Sequence, residues 1–297
     1  MSTYIKDYNI NTIITTGPPH SLHLIGEQLK EKCKVKWIAD FRDPWTTIGY
    51  HKKLKLTRLS KRKHKQLEAS VLMNSDQIIV TSQQTKLILS KRTKSPVIVI
   101  TNGYDFEINK SCKLDTKFTL SHVGNLQDGR NPEFLWKTLH DLVQNSIDFS
   151  KHFRLNLIGY ISEAVLNSIR IYGLEAYTNY SGYVSHSEAL EYQSRTQLLL
   201  LIEENSKETK YIIPGKLFEY IASRRPIIAI GPDGSDIENI VTKSASGNYF
   251  RYEESELLSS VILGYFERYK RNDLYVEPKE IEKYSRRNLT FELSKLL

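Results

Sequence analysis

The chain has 297 residues, of which 40% are hydrophobic and 26% charged, with a net charge of +8 at pH 7. That size can bury one large or two modest cores, two being expected, and the charged share is ordinary for a soluble protein. No apolar run approaches the roughly 20 residues a membrane span needs, and the opening MSTYIKDYNI lacks a signal-peptide core, so a cytoplasmic protein is expected.

Cys33 and Cys112 stand far apart without a CxxC or histidine-rich neighbourhood, which argues against a disulfide scaffold or a zinc site. The charge is uneven: residues 1 to 112 hold 19 Lys/Arg against 9 Asp/Glu, and the remainder 23 against 25. A basic half points to an anionic partner such as a phospholipid surface or a phosphorylated acceptor. No zinc finger, RRM-type or homeodomain signature accompanies it, so nucleic acid is not expected.

Thr12 to Thr16 reads as a strand, Gly17-Pro-Pro-His20 as its loop, and Leu22, Ile25 and Leu29 as the apolar face of a helix. His20 and His23 lie three apart, but no third ligand follows at a metal-binding spacing. His20 is read as substrate-facing and His23 as packing. Val35 to Ala39 is a second strand that delivers Asp40-Phe-Arg-Asp-Pro-Trp45 to its carboxyl end, where open α/β sheets bind ligands. Asp40, Arg42 and Asp43 are therefore candidate catalytic residues; the alternative is that they pair with one another. His51 to Lys65 carries eight Lys/Arg interleaved with Leu54, Leu56 and Leu59. As a helix it has a basic face beside a weak apolar stripe, suited either to solvent or to peripheral contact with an anionic membrane. Gln77 to Thr81 and Val97 to Ile100 add two strands, the latter ending in the turn Thr101-Asn-Gly-Tyr-Asp105.

Phe118 to Val123 is the next strand and leads into Gly124-Asn-Leu-Gln-Asp-Gly-Arg130. A glycine-bearing loop between strand and helix can approach a diphosphate closely, and Arg130 can pair with it bidentately. Strands follow at Phe153 to Ile158, Tyr177 to Ser181 and Leu198 to Ile202. The stretch IIPGKLFEYIASRRPIIAIG (212 to 231) opens a short helix at Pro214-Gly215, with Leu217, Phe218, Tyr220 and Ile221 on its apolar face, and passes into a buried strand at Pro226 to Ile230. Lys216 adds charge at the helix start, and Glu219, one turn on, can accept hydrogen bonds from vicinal hydroxyls. An ordinary amphipathic helix with two exposed charges is the alternative. Five apolar runs alternating with helical segments between residues 118 and 250 make a doubly wound parallel sheet, and Ser255 to Leu297 reads as helices.

The segment P-G-K-L-F-E-Y-I-A-S-x-x-P-I-I-A resembles the donor-site helix of retaining glycosyltransferases of the GT-B fold, family 4. Asn102-Gly103, then Gly124 to Arg130, then Pro214 to Tyr220 follow in the family's order. The resemblance implies two Rossmann-like domains with parallel sheets: a partial acceptor-side domain at 1–112, a nucleotide-sugar domain at 113–278, and a terminal helix at 279–297 crossing back. It implies transfer of a hexose from a nucleotide diphosphate sugar to a glycan or lipid-linked acceptor, with retained configuration, as in cell-surface polysaccharide synthesis. Glu219 would bind ribose; Gly124, Asn125, Arg130, Pro214, Gly215 and Lys216 would surround the diphosphate; Gly182, Tyr183 and Val184 would lie against the base. Many members carry a sugar-contacting acid where this chain has Tyr211, and a first basic residue where it has Asn125. Phe41 and Arg42 occupy the neighbourhood of a catalytic-site histidine.

No cofactor or metal is expected, because Asp233 and Asp236 lie three apart and Asp105 with Glu107 follows a turn signal, neither forming a D-x-D site. From the resemblance, on the order of a hundred residues and three strands of the first domain are missing. That leaves the Thr12 strand as an exposed edge and implies a longer protein or a partner supplying the missing half. A sugar-nucleotide epimerase and a non-catalytic sugar-nucleotide binder are the alternatives.

Overall fold

The computed structural model describes residues 1–49, 54–105 and 113–297. Cys112, Glu107 and the start of the basic stretch at 51–53 lie outside the described residues. The chain divides into two units: Met1–Asn102 with Tyr211–Ile213 and Arg286–Leu297, and Gly103–Lys210 with Pro214–Ser285. The division falls ten residues before the expected one at 112, and the terminal segment joins the first unit from Arg286 rather than from 279.

The first unit begins with α1 (Ser2–Asp7), β1 (Thr12–Gly17), α2 (Leu22–Cys33) and β2 (Lys36–Phe41), and continues with α3 (Arg58–Asn74), β3 (Gln77–Val80), α4 (Gln83–Ser90) and β4 (Val97–Val99). Its four strands run parallel in the order β1-β2-β3-β4, with β1 at an edge. Trp37, Ile38 and Ala39 are fully buried, as expected of a parallel strand covered on both faces. Thr57 caps α3, its hydroxyl accepting from the Ser60 amide, and Ser82 caps α4 through the Thr85 amide. Glu68 is buried on α3, where its carboxylate takes Arg92 at 2.6 Å and the Thr46 hydroxyl at 2.6 Å. Asp40 and Phe41, expected in a loop, are the last two residues of β2. Pairing with Thr16 and Gly17 of β1 and with β3 draws them into the ladder.

The second unit contains β5 (Phe118–Val123), α5 (Glu133–Asn145), α6 (Ile147–His152), β6 (Phe153–Ile158), α7 (Glu163–Ile171), β7 (Thr178–Gly182), α8 (His186–Arg195), β8 (Leu198–Ile202), α9 (Lys216–Ala222), β9 (Ile227–Gly231), α10 (Asp236–Lys243), β10 (Gly247–Arg251) and α11 (Ser255–Lys270). Six parallel strands lie in the order β10-β9-β8-β5-β6-β7, one more than the five apolar runs indicate. The extra strand, GNYFR, is an edge in which Phe250 alone is fully covered, so it carries no apolar run. β8 and β9 are buried throughout, and Leu139, Phe149, Phe153, Leu200, Ile228 and Phe266 belong to one continuous core. The final helix, α12 (Arg286–Ser294), follows a short 3-10 turn, Ile281–Tyr284. No described helix is long and apolar enough to cross a membrane.

Candidate functional site

In the second unit β5 has β8 on one side and β6 on the other, so the strand order reverses at β5. Doubly wound sheets bind ligands at the carboxyl ends of the strands beside such a reversal. Gly124 to Arg130 leaves β5 there, and Glu203 follows β8 immediately. The edge is lined by glycine. Gly124 has φ +117° and Gly159 φ +116°, and a Cβ on Gly159 would lie 2.7 Å from the Gly124 carbonyl oxygen, a distance no side chain tolerates. The Gly124 amide donates to Ile158 O at 2.7 Å and the Gly159 amide to Gly182 O at 2.6 Å, carrying the bare backbone from β5 across β6 to β7.

Two cations converge on this edge. Lys216, in the first turn of α9, donates through Nζ to Val123 O at 3.1 Å and lies 3.4 Å from His122 Nε2. Burial pushes its pKa down to about 8, against the pull of Glu203. His122 is held neutral by burial and by the Lys216 charge. Arg130 ends the short turn Asp128–Arg130, with a guanidinium nitrogen 3.8 Å from Glu203. Tyr220 fixes α9 to this loop: its hydroxyl accepts from the Val123 amide at 2.9 Å and donates to Val123 O at 3.2 Å.

Glu219 is half-buried on the same helix. One oxygen accepts from Gln193 Nε2 at 3.0 Å and the other lies 4.0 Å from His186 Nε2. Gln193 is 2% exposed, and its own amide oxygen has no partner among the described residues. Pro214 is half-buried, whereas Gly215 is exposed and a Cβ there would meet open space, so no close approach requires a glycine at this turn. Asn125 is exposed beside Gly124. Gly182 ends β7 and Tyr183 and Val184 follow it, with Tyr183 91% exposed.

The first-unit candidates gather at the carboxyl end of β2. His20 is 8% exposed and stacked on Trp45 (centroids 5.3 Å apart, 16° between planes) and on Phe41. His23 is fully buried, bonded through Nδ1 to the Thr15 hydroxyl at 2.9 Å, and lowered to about 4 by burial and by His20. Burial raises the carboxyl pKa of Asp40 and Asp43, with Arg42 drawing both the other way. The Arg42 guanidinium is bonded to the Asn102 side chain, which donates in turn to Ile213 O at 3.2 Å. Tyr211, standing where an acid was sought, belongs to this unit, and its hydroxyl donates to Thr47 O.

Glu203 lies near the position of the acid sought eight residues before Glu219 but out of register with it, so sequence reasoning did not assign it to the cluster, and it missed Gln193 and Tyr220 because each reads as a helix-face residue. The signal for Glu203 was present: a charged residue directly after LLLLI stands at the carboxyl edge of a buried strand. Among the described residues, no group of three or more His, Cys, Asp or Glu side chains is placed to hold a metal ion. A cavity of about 620 Å³ lined by Asp115, His152, Gln197, Tyr269 and Lys270 opens beside the amino ends of β5 and β8, away from this cluster.

No family model and no curated protein matches the sequence. Solved structures match its fold. Sucrose-phosphate synthase from Thermosynechococcus elongatus superposes with a TM-score of 0.71 at 15% identity, over 99% of this chain and 74% of that one. Anabaena HepE in complex with UDP gives 0.70 at 12% identity, over 99% and 80%. A glycosyltransferase from Rickettsia africae gives 0.70 at 13% identity, over 99% and 78%. The chain therefore has the two-domain α/β architecture of GT-B glycosyltransferases, with a parallel sheet in each unit.

Proposed function

We propose that the protein is a retaining glycosyltransferase that moves a hexose from a nucleotide diphosphate sugar to a glycan or lipid-linked acceptor. The observation that carries this reading is the convergence of Arg130 and Lys216 on a glycine-lined strand edge at the sheet's reversal, with the Glu219 carboxylate on the same helix as Lys216. Bare backbone and two cations suit a diphosphate, and a carboxylate beside them suits the ribose hydroxyls. HepE, similar in fold, has been solved with UDP and with UDP-glucose, which supports a uridine nucleotide as the first donor to test.

In this reading Arg130 and Lys216 stabilise the departing diphosphate, where negative charge grows as the glycosidic bond breaks, so their contribution is larger in the transition state than in the ground state. Tyr220 and Gln193 hold α9 and Glu219 in place for that task. No metal is required where two cations neutralise the leaving group. Gly182, Tyr183 and Val184 lie along the base. At the first unit, His20, Asp40, Arg42 and Asp43 remain the acceptor-side candidates, and the basic face of α3 is a docking surface for anionic lipid, which would bring the chain to a lipid-linked acceptor.

A second reading, a sugar-nucleotide binder without transfer, is favoured by Tyr211, whose hydroxyl is committed to Thr47 and offers no acid to a donor sugar. One experiment decides: nucleotide sugars are titrated while nucleotide release and sugar transfer are followed with and without glycan acceptors. Acceptor-dependent release supports the transferase. Binding with no release under any acceptor supports the second reading, and a changed sugar with no acceptor points to an epimerase.

A further inference from the structure

Glu203 has no task in the reading above, yet it sits beneath both cations. Its side chain is 1% exposed and lies 3.8 Å from Arg130, but no hydrogen-bond donor among the described residues reaches either oxygen. Buried carboxylates ordinarily collect donors, because an unpaired buried charge is costly. The groups facing Glu203 are Arg130 from the turn after β5, Lys216 from α9, Glu204 next to it in the chain, and Tyr249 and Tyr252 from β10 and its exit. Burial holds both phenols neutral, and their hydroxyls donate elsewhere, Tyr249 to Pro232 O and Tyr252 to the Glu203 backbone carbonyl. Lys216 in turn faces neutral His122 and the Glu219 carboxylate. The carboxylate is thus compensated through space by the two residues that the nucleotide-sugar reading assigns to the diphosphate.

We infer that Glu203 is a positioning residue, an internal counter-charge that holds Arg130 and Lys216 ready for a diphosphate and takes up a proton when the diphosphate replaces it. This rests on the nucleotide-sugar reading. With Glu203 ionised, Arg130, Lys216 and Glu203 sum to a single positive charge; the two negative charges of a sugar nucleotide overcompensate it, the more so beside Glu204 and Glu219, and protonating Glu203 removes one negative charge. Like charges brought together in a buried site resolve themselves in this way. Burial raises the pKa of this carboxyl, the same direction as the proton uptake. Lys216 is charged near neutral pH, which leaves the carboxylate to accept the proton.

The test is calorimetry near pH 7 with UDP-glucose and ADP-glucose, whose diphosphates do not titrate there, in buffers of low and high ionisation enthalpy. The wild type is expected to take up about one proton per nucleotide bound, with affinity falling by up to about tenfold per pH unit between pH 6.5 and 7.5. In Glu203→Gln the uptake at pH 6.5, where Lys216 with its pKa of about 8 is already charged, should fall well below that of the wild type and the pH dependence should flatten while binding persists, an outcome that a merely structural role does not produce. Glu203→Met removes the charge at similar volume and serves as a second variant. Binding without proton uptake, or equal uptake in the wild type and both variants, overturns the inference alone. Failure of both nucleotides to bind the wild type overturns the nucleotide-sugar reading and this inference with it.

Discussion

At the carboxyl end of β2 the first unit closes its sheet with rings, Trp45 stacked on His20 and Phe41 on His23, whereas the second unit closes β5, β6 and β7 with glycine. The two units also keep their positive charge differently. In the first it stands outside, on the face of α3 lined by Arg58, Lys61, Arg62 and Lys65; in the second two cations point inward at the sheet edge. The same parallel architecture therefore presents a packed aromatic floor in one unit and a glycine backbone without side chains, flanked by cations, in the other. Only the latter has the chemistry of an anion site.

The largest expected effect breaks the glycine edge. Gly159→Ala places a Cβ 2.7 Å from the Gly124 carbonyl at φ +116°, so strain and overpacking together should cost about 3 to 5 kcal/mol in urea unfolding. A loss below 1 kcal/mol would mean that the edge is looser than its geometry.

The aromatic floor can be probed by pH. His23 has a folded pKa of about 4, below the value of about 6.5 in an unfolded chain, so the unfolded state binds more protons between these limits. Stability is then complete above pH 6.5 and declines as pH falls toward 4, by up to about 3 kcal/mol. Trp37 and Trp45 report this unit once Trp136, in the second unit's core, is replaced by Phe. In that background His23→Gln should flatten the acid decline, and an unchanged decline would assign it to other groups.

Binding measurements sharpen the second half of the comparison. Arg130→Ala should weaken a nucleoside diphosphate by about 1.5 to 3 kcal/mol and leave the nucleoside nearly unaffected, because the lost interaction is charge-assisted and made to phosphate. Glu219→Ala should weaken both alike, by about 1 to 2 kcal/mol, because the ribose is common to both. Exchanged patterns would exchange the two roles.

How much of this was legible in the chain depends on how locally each feature is encoded. Phe118–Val123, Phe153–Ile158 and Leu198–Ile202 were readable residue for residue, since strands buried on both faces need continuous apolar runs. β10 was not, because an edge strand buries little. Arg130, Lys216 and Glu219 could be singled out from turn chemistry and helix spacing. Glu203 shows in the chain only as a charge directly after a buried strand, and Gln193 not at all, because their roles depend on which strands and helices become neighbours. The reversal at β5, which brings Glu203 to Arg130, is a property of strand order and is written in no single segment. The surroundings of His20 were hidden differently: a histidine after a strand looks available, and its stacking on Trp45 depends on a ring more than twenty residues away.

The smallest predicted effect tests the outward charge. α3 carries Arg58 and Lys61 in its opening turns and no acid in its first turn, so its cations lie at the positive end of the helix dipole. That placement costs a few tenths of a kcal/mol, roughly 0.3 to 1, in helix stability. A face kept only for solubility gains nothing from it, whereas a lipid-facing one gains about 1 kcal/mol for each Lys or Arg near an anionic surface. Leu59, 80% exposed on the same helix, adds an apolar contact. Arg58→Glu should therefore act with opposite signs, raising folding stability by about 0.5 kcal/mol while weakening co-sedimentation with phosphatidylserine vesicles several-fold. The wild-type binding should also fade with salt, as attraction between exposed charges does over a Debye length of about 10 Å at 0.1 M. Equal binding to anionic and neutral vesicles would leave α3 as a solvated face and remove the lipid surface from the functional reading.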